Sequence, residues 1–320
     1  MIIVKSPLRV SFFGGSTDYE SFYKEHGSFI IGTAIDKYVW LSARYRPKIL
    51  ESKYFIGYSK LEIVSSFDEI HNPLIREVLK YSDPEGYIDF NSSADVPARV
   101  GLGGSSSFCV GMLHLLKELR GEPVDRKELA RAAIHIERNV LKESGGIQDH
   151  IWAAYGGFNI ITIEKNGDFT VKPVPVSNAF TQAFEDSIVL IYMNSQRDQN
   201  EIAQSHEDKD KKNILELSRK AYEHFLKEDI KGIGELLLET WNEKRNLSSF
   251  ISTEKIDAVV DTVMGMGAYG VKLLGSGGCG FLMVICDPSV KEKMMEKFKE
   301  YVLEFKFENR GSSVVYPSGS

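Results

Sequence analysis

The most constraining feature of the chain is a glycine and serine segment placed directly before a helix. Residues 97–107 read Pro-Ala-Arg-Val-Gly-Leu-Gly-Gly-Ser-Ser-Ser, and apolar residues then recur at helical spacing from Phe108 to Leu119. Glycines let backbone N–H groups turn inward without a Cβ atom in the way. A helix start adds unpaired N–H donors and the positive end of the helix dipole, which together attract phosphate. We therefore predict a phosphate-binding loop made of Gly101, Leu102, Gly103, Gly104, Ser105, Ser106 and Ser107.

Two known nucleotide-binding motifs and a plain helix cap are the alternative interpretations of this loop. A Walker A loop needs a lysine directly after its last glycine, and no lysine follows any of these glycines. The protein-kinase motifs His-Arg-Asp and Asp-Phe-Gly do not occur in the sequence. The plain alternative is a helix cap beside a tight turn, although the loop carries more glycines and hydroxyls than a cap needs.

A second glycine run, residues 275–280, reads Gly-Ser-Gly-Gly-Cys-Gly and matches the dinucleotide-binding pattern G-x-G-x-x-G. That fold requires a helix directly after the glycines, whereas the next residues are apolar with strand character. The Rossmann interpretation therefore fails. Two interpretations stay open: a strand connection whose backbone approaches a bound ligand, and a plain hairpin turn.

Composition limits the class of protein and its partners. A chain of 320 residues predicts about two domains. Its net charge of −6 argues against a broad nucleic-acid surface. The cysteines contain no C-x-x-C pair, which argues against a zinc site and fits a reducing compartment. Without a signal-peptide core or an apolar stretch of membrane-spanning length, we expect a cytoplasmic protein with no nucleic-acid or membrane partner.

Residue patterns predict an α/β protein in which strands dominate the first part. Strands are expected near residues 8–12, 35–45, 55–58, 61–64 and 87–91. The capping pattern of Asp125 and Glu128 opens a helix that we expect to end at Gly145-Gly146. An Asn166-Gly167 turn predicts a hairpin between residues 158–163 and 169–174.

The second part of the chain is predicted to begin near residues 175–187. Helices are expected at 213–227, 229–246 and 253–266. A strand at 271–274, the glycine run, a strand at 281–286, a helix at 289–300 and a last strand complete the α+β pattern.

Two carboxylates between the glycine runs could supply phosphoryl-transfer chemistry. Glu137 lies beside an apolar helix face, and Asp149 follows the segment Gly-Gly-Ile-Gln. A carboxylate and a hydroxyl such as that of Ser105 are hard oxygen ligands that suit Mg²⁺, and a second carboxylate can accept a hydroxyl proton. Taken singly, Glu137 also fits a solvated helix residue and Asp149 a helix cap. His135 and His150 lack a metal-ligand spacing and are expected to be packing or surface residues.

Three motifs together resemble the GHMP kinase superfamily, which includes galactokinases, homoserine kinases and mevalonate kinases. The first is Ser6-Pro7-Leu8-Arg9-Val10 continuing to Gly14-Gly15-Ser16-Thr17-Asp18-Tyr19. The second is the loop, where Pro97, Gly101, Leu102, Gly103 and Ser105 match P-x-x-x-G-L-G-S-S-A, while Gly104 and Ser106 depart from it. The third is Lys272-Leu273-Leu274-Gly275-Ser276-Gly277-Gly278-Cys279-Gly280. In this order the motifs span nearly the whole chain.

The resemblance implies a two-domain α/β (α+β) GHMP kinase fold. Its N-terminal domain, residues 1–178, would hold a mixed sheet with helices, and its C-terminal domain, residues 179–320, would be ferredoxin-like. ATP would bind the loop at 101–107, and Ser105 and Glu137 would hold Mg²⁺, with Ser106 as a neighbouring candidate. Asp149 would be the catalytic aspartate, and Arg9 the basic catalytic residue that offsets charge on the transferred phosphoryl group. A homodimer stays open.

The resemblance also bears on the substrate. Gly15 and Ser16 replace the Glu-His pair of galactokinases, and Asp18 stands where that family holds a sugar hydroxyl. The motifs are most similar to those of the D-glycero-D-manno-heptose 7-phosphate kinases. These enzymes phosphorylate the anomeric hydroxyl of a sugar phosphate to give a 1,7-bisphosphate for nucleotide-heptose and bacterial surface glycans. The implied substrate-binding residues are Gly15, Ser16, Asp18, Gly146, Arg197, Gly277 and Gly278.

A substrate with a distal phosphate needs a cationic contact, for which the candidates are Arg99, Arg138, Lys142 and Arg197; each also fits an ordinary surface charge. Two other functions stay open. One is a kinase of the same superfamily that acts on a free sugar such as fucose or on a small alcohol. The other is a catalytically silent sugar- or nucleotide-binding relative, against which the retention of Arg9, Glu137 and Asp149 argues.

Overall fold

Two β-sheets organise the fold. The computed structural model describes residues 1–193, 199–205 and 207–316. The strands are β1 (Ile2–Phe13), β2 (Ser28–Arg46), β3 (Tyr54–Gly57), β4 (Leu61–Val64), β5 (Tyr87–Ala94), β6 (Phe158–Ile163), β7 (Phe169–Pro173), β8 (Ile188–Tyr192), β9 (Gly270–Leu273), β10 (Phe281–Ile285) and β11 (Ser313–Tyr316). Within the described residues the first sheet has the order β11-β1-β2-β5-β3-β4, with β6 paired to β2 and β7 paired to β6.

The long strand β2 organises the first sheet because both of its edges are used. One edge pairs antiparallel with β1 along most of its length. On the other edge, residues 28–33 pair with β6 and residues 39–46 pair with β5. Strand β2 therefore changes its partner between these two stretches. Val39, at the start of the second stretch, lies in the wall of the cavity described below.

Helices cover the sheets. They are α1 (Glu20–His26), α2 (Pro73–Ser82), α3 (Gly104–Leu119), α4 (Arg126–Ile134), α5 (Gln148–Tyr155), α6 (Asn178–Asp186), α7 (Gln199–Ser205), α8 (Lys212–Leu226), α9 (Ile230–Arg245), α10 (Glu254–Gly265) and α11 (Pro288–Lys297). Helix α3 packs on β1 and β2 and also contacts α4 and α5. The Asp125 side chain accepts a hydrogen bond from Glu128 N and caps α4, as the sequence predicts.

The second sheet has the strand order of a ferredoxin-like domain. Strands β8, β10 and β9 pair antiparallel in that order. Val302, which follows α11, forms a bridge with Ile191 on the remaining edge of β8. Numbered along the chain, the order across the sheet is fourth, first, third, second. The predicted two-domain fold with a mixed N-terminal sheet is thereby confirmed.

An aromatic cluster joins the two halves of the chain. Phe12 of β1 and Phe158 of β6 contact Phe184 of α6 and Phe225 of α8, with ring centroids 5.1–6.5 Å apart. All four rings are buried. The chain also returns to the first sheet near its end, where β11 pairs with β1. The hydrophobic core is continuous across residue 178, and the division there stays a prediction.

The predicted elements are confirmed except at one helix end, where Gly145-Gly146 was expected as the stop. Helix α4 instead passes into a π-helical turn, His135–Val140, and the helical backbone stops there. Leu141 N donates to Ile136 O, and Lys142 takes a left-handed φ of 57°. The early end releases residues 143–146 from the helix, and they form part of the cavity wall.

The structure also bears on membrane-spanning helices and on the state of the cysteines. In the described ranges, no helix is long and apolar enough to cross a membrane. Cys109, Cys279 and Cys286 are buried free thiols.

We expect Phe225→Ala to lower the free energy of unfolding by about 3–5 kcal/mol, because it removes a buried ring shared by both halves. Urea unfolding followed by circular dichroism measures this change. Leu226→Ala is the matched control, since the neighbouring side chain is 51% exposed; a change of about 0.5 kcal/mol or less is expected. Equal losses in both variants would contradict the role of the cluster.

Candidate active site

A cavity of about 720 Å³ lies where the two glycine runs meet. This volume falls within the range of about 300–1,000 Å³ that is usual for small-molecule sites. The lining includes Arg9, Asp18, Gly101–Ser106, Glu137 and Asp149 from the first part of the chain, and Lys244, Lys272, Gly275 and Ser276 from the second part. The cavity thus unites all three motifs found in the sequence.

The predicted phosphate loop forms one wall of the cavity. Gly101 and Gly103 take left-handed φ values of 81° and 77°, which glycine adopts without strain. Helix α3 begins at Gly104, and no side chain caps its N-terminus. Ser107 differs from the prediction, because its Oγ donates to Pro7 O at 2.7 Å and is directed into the protein. Its hydroxyl fastens α3 to β1, whereas Ser105 and Ser106 face the cavity.

Close backbone contact joins the phosphate loop to the second glycine run. A Cβ atom at Gly101 would lie 2.6 Å from Leu274 O, and one at Gly275 would lie 2.5 Å from the Gly101 Cα. Both glycines have positive φ values. The run connects the antiparallel strands β9 and β10. It is therefore a hairpin connection that packs against the phosphate loop, and its approach to a bound ligand stays a prediction.

Arg9 and Asp149 form a bidentate ion pair at the base of the cavity. Arg9 Nε donates to Asp149 Oδ1 at 2.7 Å, and Nη2 donates to Oδ2 at 2.8 Å. The remaining Nη1 donates to Gly101 O at 2.6 Å. Two parallel charge-assisted bonds fix both the distance and the orientation of a carboxylate. The Arg9 side chain is 6% exposed and that of Asp149 21%, so only the carboxylate retains access to the cavity.

Glu137 is a buried carboxylate held by two serines and a histidine. Ser105 Oγ donates to Glu137 Oε1, and Ser106 Oγ donates to Oε2 at 2.8 Å. His150 Nε2 contacts Oε2 at 2.5 Å. Burial alone would raise the pKa of Glu137, but the His150 charge and hydrogen bond, Arg138 and Ser105 lower it to about 2. His150 is fully buried, as expected of a packing residue, and its ring in addition contacts the Glu137 carboxylate.

The oxygen atoms around Glu137 fit a hard divalent cation. Mg²⁺ prefers oxygen ligands and usually binds through one or two carboxylates together with substrate phosphates. Ser105 and Glu137 supply a hydroxyl and an ionised carboxylate beside the phosphate loop. Among the described residues, no three His, Cys, Asp or Glu side chains form a metal-binding group. A cation here would therefore need phosphate oxygens to complete its coordination.

Asp18 is fully buried next to Gln148, the residue that precedes Asp149. Its Oδ2 accepts from Gln148 N and its Oδ1 from Gln148 Nε2, both at 3.0 Å. Burial raises the pKa of Asp18, although the hydrogen bonds from Gln148 oppose this effect. Gly146 lies against this carboxylate, since a Cβ atom there would come within 1.8 Å of Asp18 Oδ2. Position 146 therefore has no room for a side chain.

The other predicted substrate residues are only partly brought together. Gly15, Ser16 and Gly146 line the cavity with Asp18. Gly277 and Gly278 do not, because Gly277 packs against Ile251 and Gly278 N donates to Ile251 O. Arg197 lies outside the described residues.

The other cationic candidates of the sequence differ in their placement. Arg138 lines the cavity but donates to Gly146 O at 3.0 Å and to Glu143 O at 3.2 Å, so its guanidinium braces the loop. Arg99 is exposed at the cavity wall, and Lys142 is exposed outside it.

Sequence reasoning missed two groups of residues. An apolar region of the cavity wall is formed by Val39, Tyr58, Leu74, Val96 and Phe108. These residues come from separate strands and helices, so no local pattern marks them. The second group is Lys244 and Lys272, two buried lysines that also line the cavity. Lys272 stands inside the third motif, and its position between apolar residues of a short strand was the available signal.

We expect Gly146→Ala to lower the free energy of unfolding by about 1–3 kcal/mol, because the added methyl group must displace Asp18 or its loop. Gly265→Ala is the control, since a Cβ atom there meets nothing within 4 Å. Alanine favours helix, so this control is expected to leave stability unchanged or slightly raised. Thermal unfolding of both variants checks the difference, and an unchanged Gly146→Ala protein would contradict the tight packing at Asp18.

Comparison with known proteins identifies the family. The model of the GHMP kinase N-terminal domain matches residues 70–157, and that of the GHMP kinase C-terminal domain matches residues 221–302. The D-glycero-alpha-D-manno-heptose 7-phosphate kinase of Campylobacter jejuni is 28% identical over 97% of each chain. The galactokinase of Pyrococcus furiosus is 24% identical over 99% of this chain and 98% of its own.

A solved structure shares the fold over its whole length. It is described as a D-glycero-D-manno-heptose 1-phosphate kinase from Bacteroides thetaiotaomicron, with a TM-score of 0.81, 24% identity and full coverage of both chains. The two family models together match more than half of this chain, and each matched region contributes to the cavity. The chain belongs to the GHMP kinases and is an ATP-dependent phosphotransferase whose acceptor is an alcohol group.

Proposed function

We propose that this kinase transfers the γ-phosphoryl group of ATP to the anomeric hydroxyl of D-glycero-D-manno-heptose 7-phosphate. The product would be the 1,7-bisphosphate, a precursor of nucleotide-activated heptose for surface glycans. The observation that carries the proposal is the Arg9–Asp149 ion pair, placed between the phosphate loop and the Asp18 side of the cavity. Similarity along the whole chain to a kinase named for this sugar phosphate supports the choice of substrate.

The phosphate loop would hold the triphosphate of ATP. The N-terminus of α3 has no side-chain cap, and its first backbone N–H groups are suited to phosphate oxygens. Gly104 has nothing within 4 Å of a Cβ position, so phosphate can approach the backbone at this point. The apolar wall that includes Tyr58, Leu74 and Phe108 would receive the nucleoside.

Asp149 would act on the acceptor hydroxyl. The hydroxyl oxygen attacks the γ-phosphorus, the bond from phosphorus to the β,γ-bridging oxygen breaks, and the hydroxyl proton passes to Asp149 as ADP leaves. Each carboxylate oxygen of Asp149 receives one bond from Arg9 and keeps a further acceptor site. Arg9 orients this carboxylate and places positive charge beside the reacting phosphoryl group.

Ser105 and Glu137 would hold Mg²⁺ together with the phosphates of ATP. The cation, when bound, would neutralise charge on the phosphate oxygens. The chain's own contribution is orientation: His150 and Ser106 fix Glu137 Oε2, which leaves Oε1 and Ser105 Oγ toward the cavity. The low pKa of Glu137, about 2, keeps this ligand ionised at neutral pH.

We expect the purified protein to release ADP from MgATP fastest with the heptose 7-phosphate in a panel of sugars and sugar phosphates. The panel includes the dephosphorylated heptose, fucose, galactose and mevalonate. A clear preference for an unphosphorylated sugar would replace the proposed substrate with a free sugar. Absence of turnover with every acceptor, in a protein that binds ATP, would favour a non-catalytic binding protein.

We expect Asp149→Asn to lower kcat by at least about 100-fold while the Kd for ATP stays within about three-fold of that of the wild-type protein. Asparagine keeps the shape of the side chain but cannot accept the hydroxyl proton. Kinetics and ATP titration of the same preparation measure the two effects. Asp36→Asn is the control, because Asp36 carries a carboxylate that does not line the cavity. Unchanged turnover in Asp149→Asn would remove this residue from the mechanism.

A further inference from the structure

Two lysines contributed by the second part of the chain are buried in the wall of the cavity. Lys244 belongs to α9 and is 4% exposed, and Lys272 belongs to β9 and is 3% exposed. Both line the cavity that holds Arg9 and Asp149. The mechanism above uses neither of them.

The ammonium groups of these lysines contact backbone oxygens and no carboxylate. Lys272 Nζ donates to Ser11 O at 3.0 Å and to Phe12 O at 2.8 Å, and Lys244 Nζ donates to Gly275 O. None of the salt bridges within the described ranges includes either lysine. An ammonium has three donors, so Lys272 keeps one and Lys244 keeps two for another partner.

The charges around the two lysines favour an anion. Burial and the neighbouring positive charge of Arg9 lower the pKa of Lys244 to about 8. Attraction to Asp18 opposes this shift only partly. The pKa of Lys272 also falls well below its usual value, because of burial and the positive charges of Lys244 and Arg9. A buried charge is costly unless it is paired and hydrogen-bonded. A bound anion would supply the missing negative charge.

Polar atoms without partners lie in the same region. Within the described residues, Ser11 Oγ and Ser276 Oγ are buried and accept or donate no hydrogen bond. Both residues line the cavity, and a hydroxyl is a suitable donor to a phosphate oxygen. Gln148 Oε1 is a third buried atom without a partner, and as an acceptor it suits a sugar hydroxyl.

We propose that Lys244 and Lys272, with Ser11 and Ser276, bind the phosphate group already present on the sugar phosphate acceptor. This assignment rests on the proposed function for the identity of the acceptor. It replaces the exposed or loop-bracing cations Arg99, Lys142 and Arg138 as the main contact to that phosphate.

The position of the lysines favours the acceptor over the nucleotide. Lys272 is fastened to the end of β1, and its Nζ lies 3.9 Å from the position of a Cβ atom at Gly15, on the Asp18 side of the cavity. ATP phosphates have their own donors at the start of α3. Binding of the γ-phosphate of ATP by the lysines is therefore the competing outcome that the experiment must separate.

The test compares Lys244→Met and Lys272→Met with the wild-type enzyme on the heptose 7-phosphate and on its dephosphorylated form. We expect kcat/KM for the phosphorylated sugar to fall about ten-fold or more in each variant, because charge-assisted hydrogen bonds are lost. The dephosphorylated sugar and the KM for ATP should change less than about three-fold. Lys244→Arg should retain most of the phosphate preference.

Lys231→Met is the matched control, because Lys231 lies on the same helix and its side chain is 68% exposed. It should match the wild-type enzyme on both sugars. Equal losses on both sugars in Lys244→Met and Lys272→Met, or a raised KM for ATP as the main effect, would overturn the assignment.

A binding measurement separates this inference from the proposed function. Calorimetry with inorganic phosphate, without nucleotide, should detect binding to the wild-type protein and at least about ten-fold weaker binding to Lys244→Met. This result would support the anion site even if the heptose phosphate were not a substrate. No binding to the wild-type protein, or equal binding to both proteins, would overturn the site.

Loss of the fold in the variants would not prevent the test. Acetylation of Lys244 in the wild-type protein at pH 8, followed by mass spectrometry, should slow at least about three-fold when phosphate is present. Unchanged acetylation would overturn the assignment.

Discussion

The rest of the site depends on the hydrogen bonds of the Arg9 guanidinium. It grips Asp149 with two bonds and the backbone oxygen of Gly101 with a third, while Arg9 N donates to Leu102 O. One residue of β1 therefore sets the position of the phosphate loop relative to the start of α5. Since a buried charge that loses its partner is strongly destabilising, the pair also constrains how far these segments can separate.

Further charged groups line the cavity around this pair. On the side of the phosphate loop, Glu137 is held ionised by His150 and two serines. Elsewhere in the cavity wall, the second part of the chain contributes Lys272, which donates to the end of β1, and Lys244, which donates to Gly275 O. These groups suit the proposed cation beside the nucleotide phosphates and the proposed anion on the acceptor.

Local sequence patterns predicted the local structure, whereas contacts between distant parts of the chain could not be predicted from them. The capping of α4 by Asp125 and the hairpin at Asn166-Gly167 depend on neighbouring residues, so the sequence sufficed. The pairing of His150 with Glu137 depends on a π-helical turn that no periodicity marked. Lys244 resembles an ordinary helix residue in sequence, and the packing of α9 against β1 makes it a neighbour of Arg9. Lys272 stands in the third motif, but only its hydrogen bonds to Ser11 O and Phe12 O show that it reaches the end of β1. Arg9 stands in the first family motif, whereas Glu137 and Asp149 lie between the second and third motifs and were singled out by their chemistry and by the resemblance.

The pairing of β11 with β1 has a consequence for how the chain acquires its structure during synthesis. Lys5 pairs with Ser313, which lies about 300 residues further along the chain, so the outer edge of β1 lacks this partner until β11 has been made. An open strand edge can pair with other chains in the meantime. The first sheet is therefore complete only after β11 has been made.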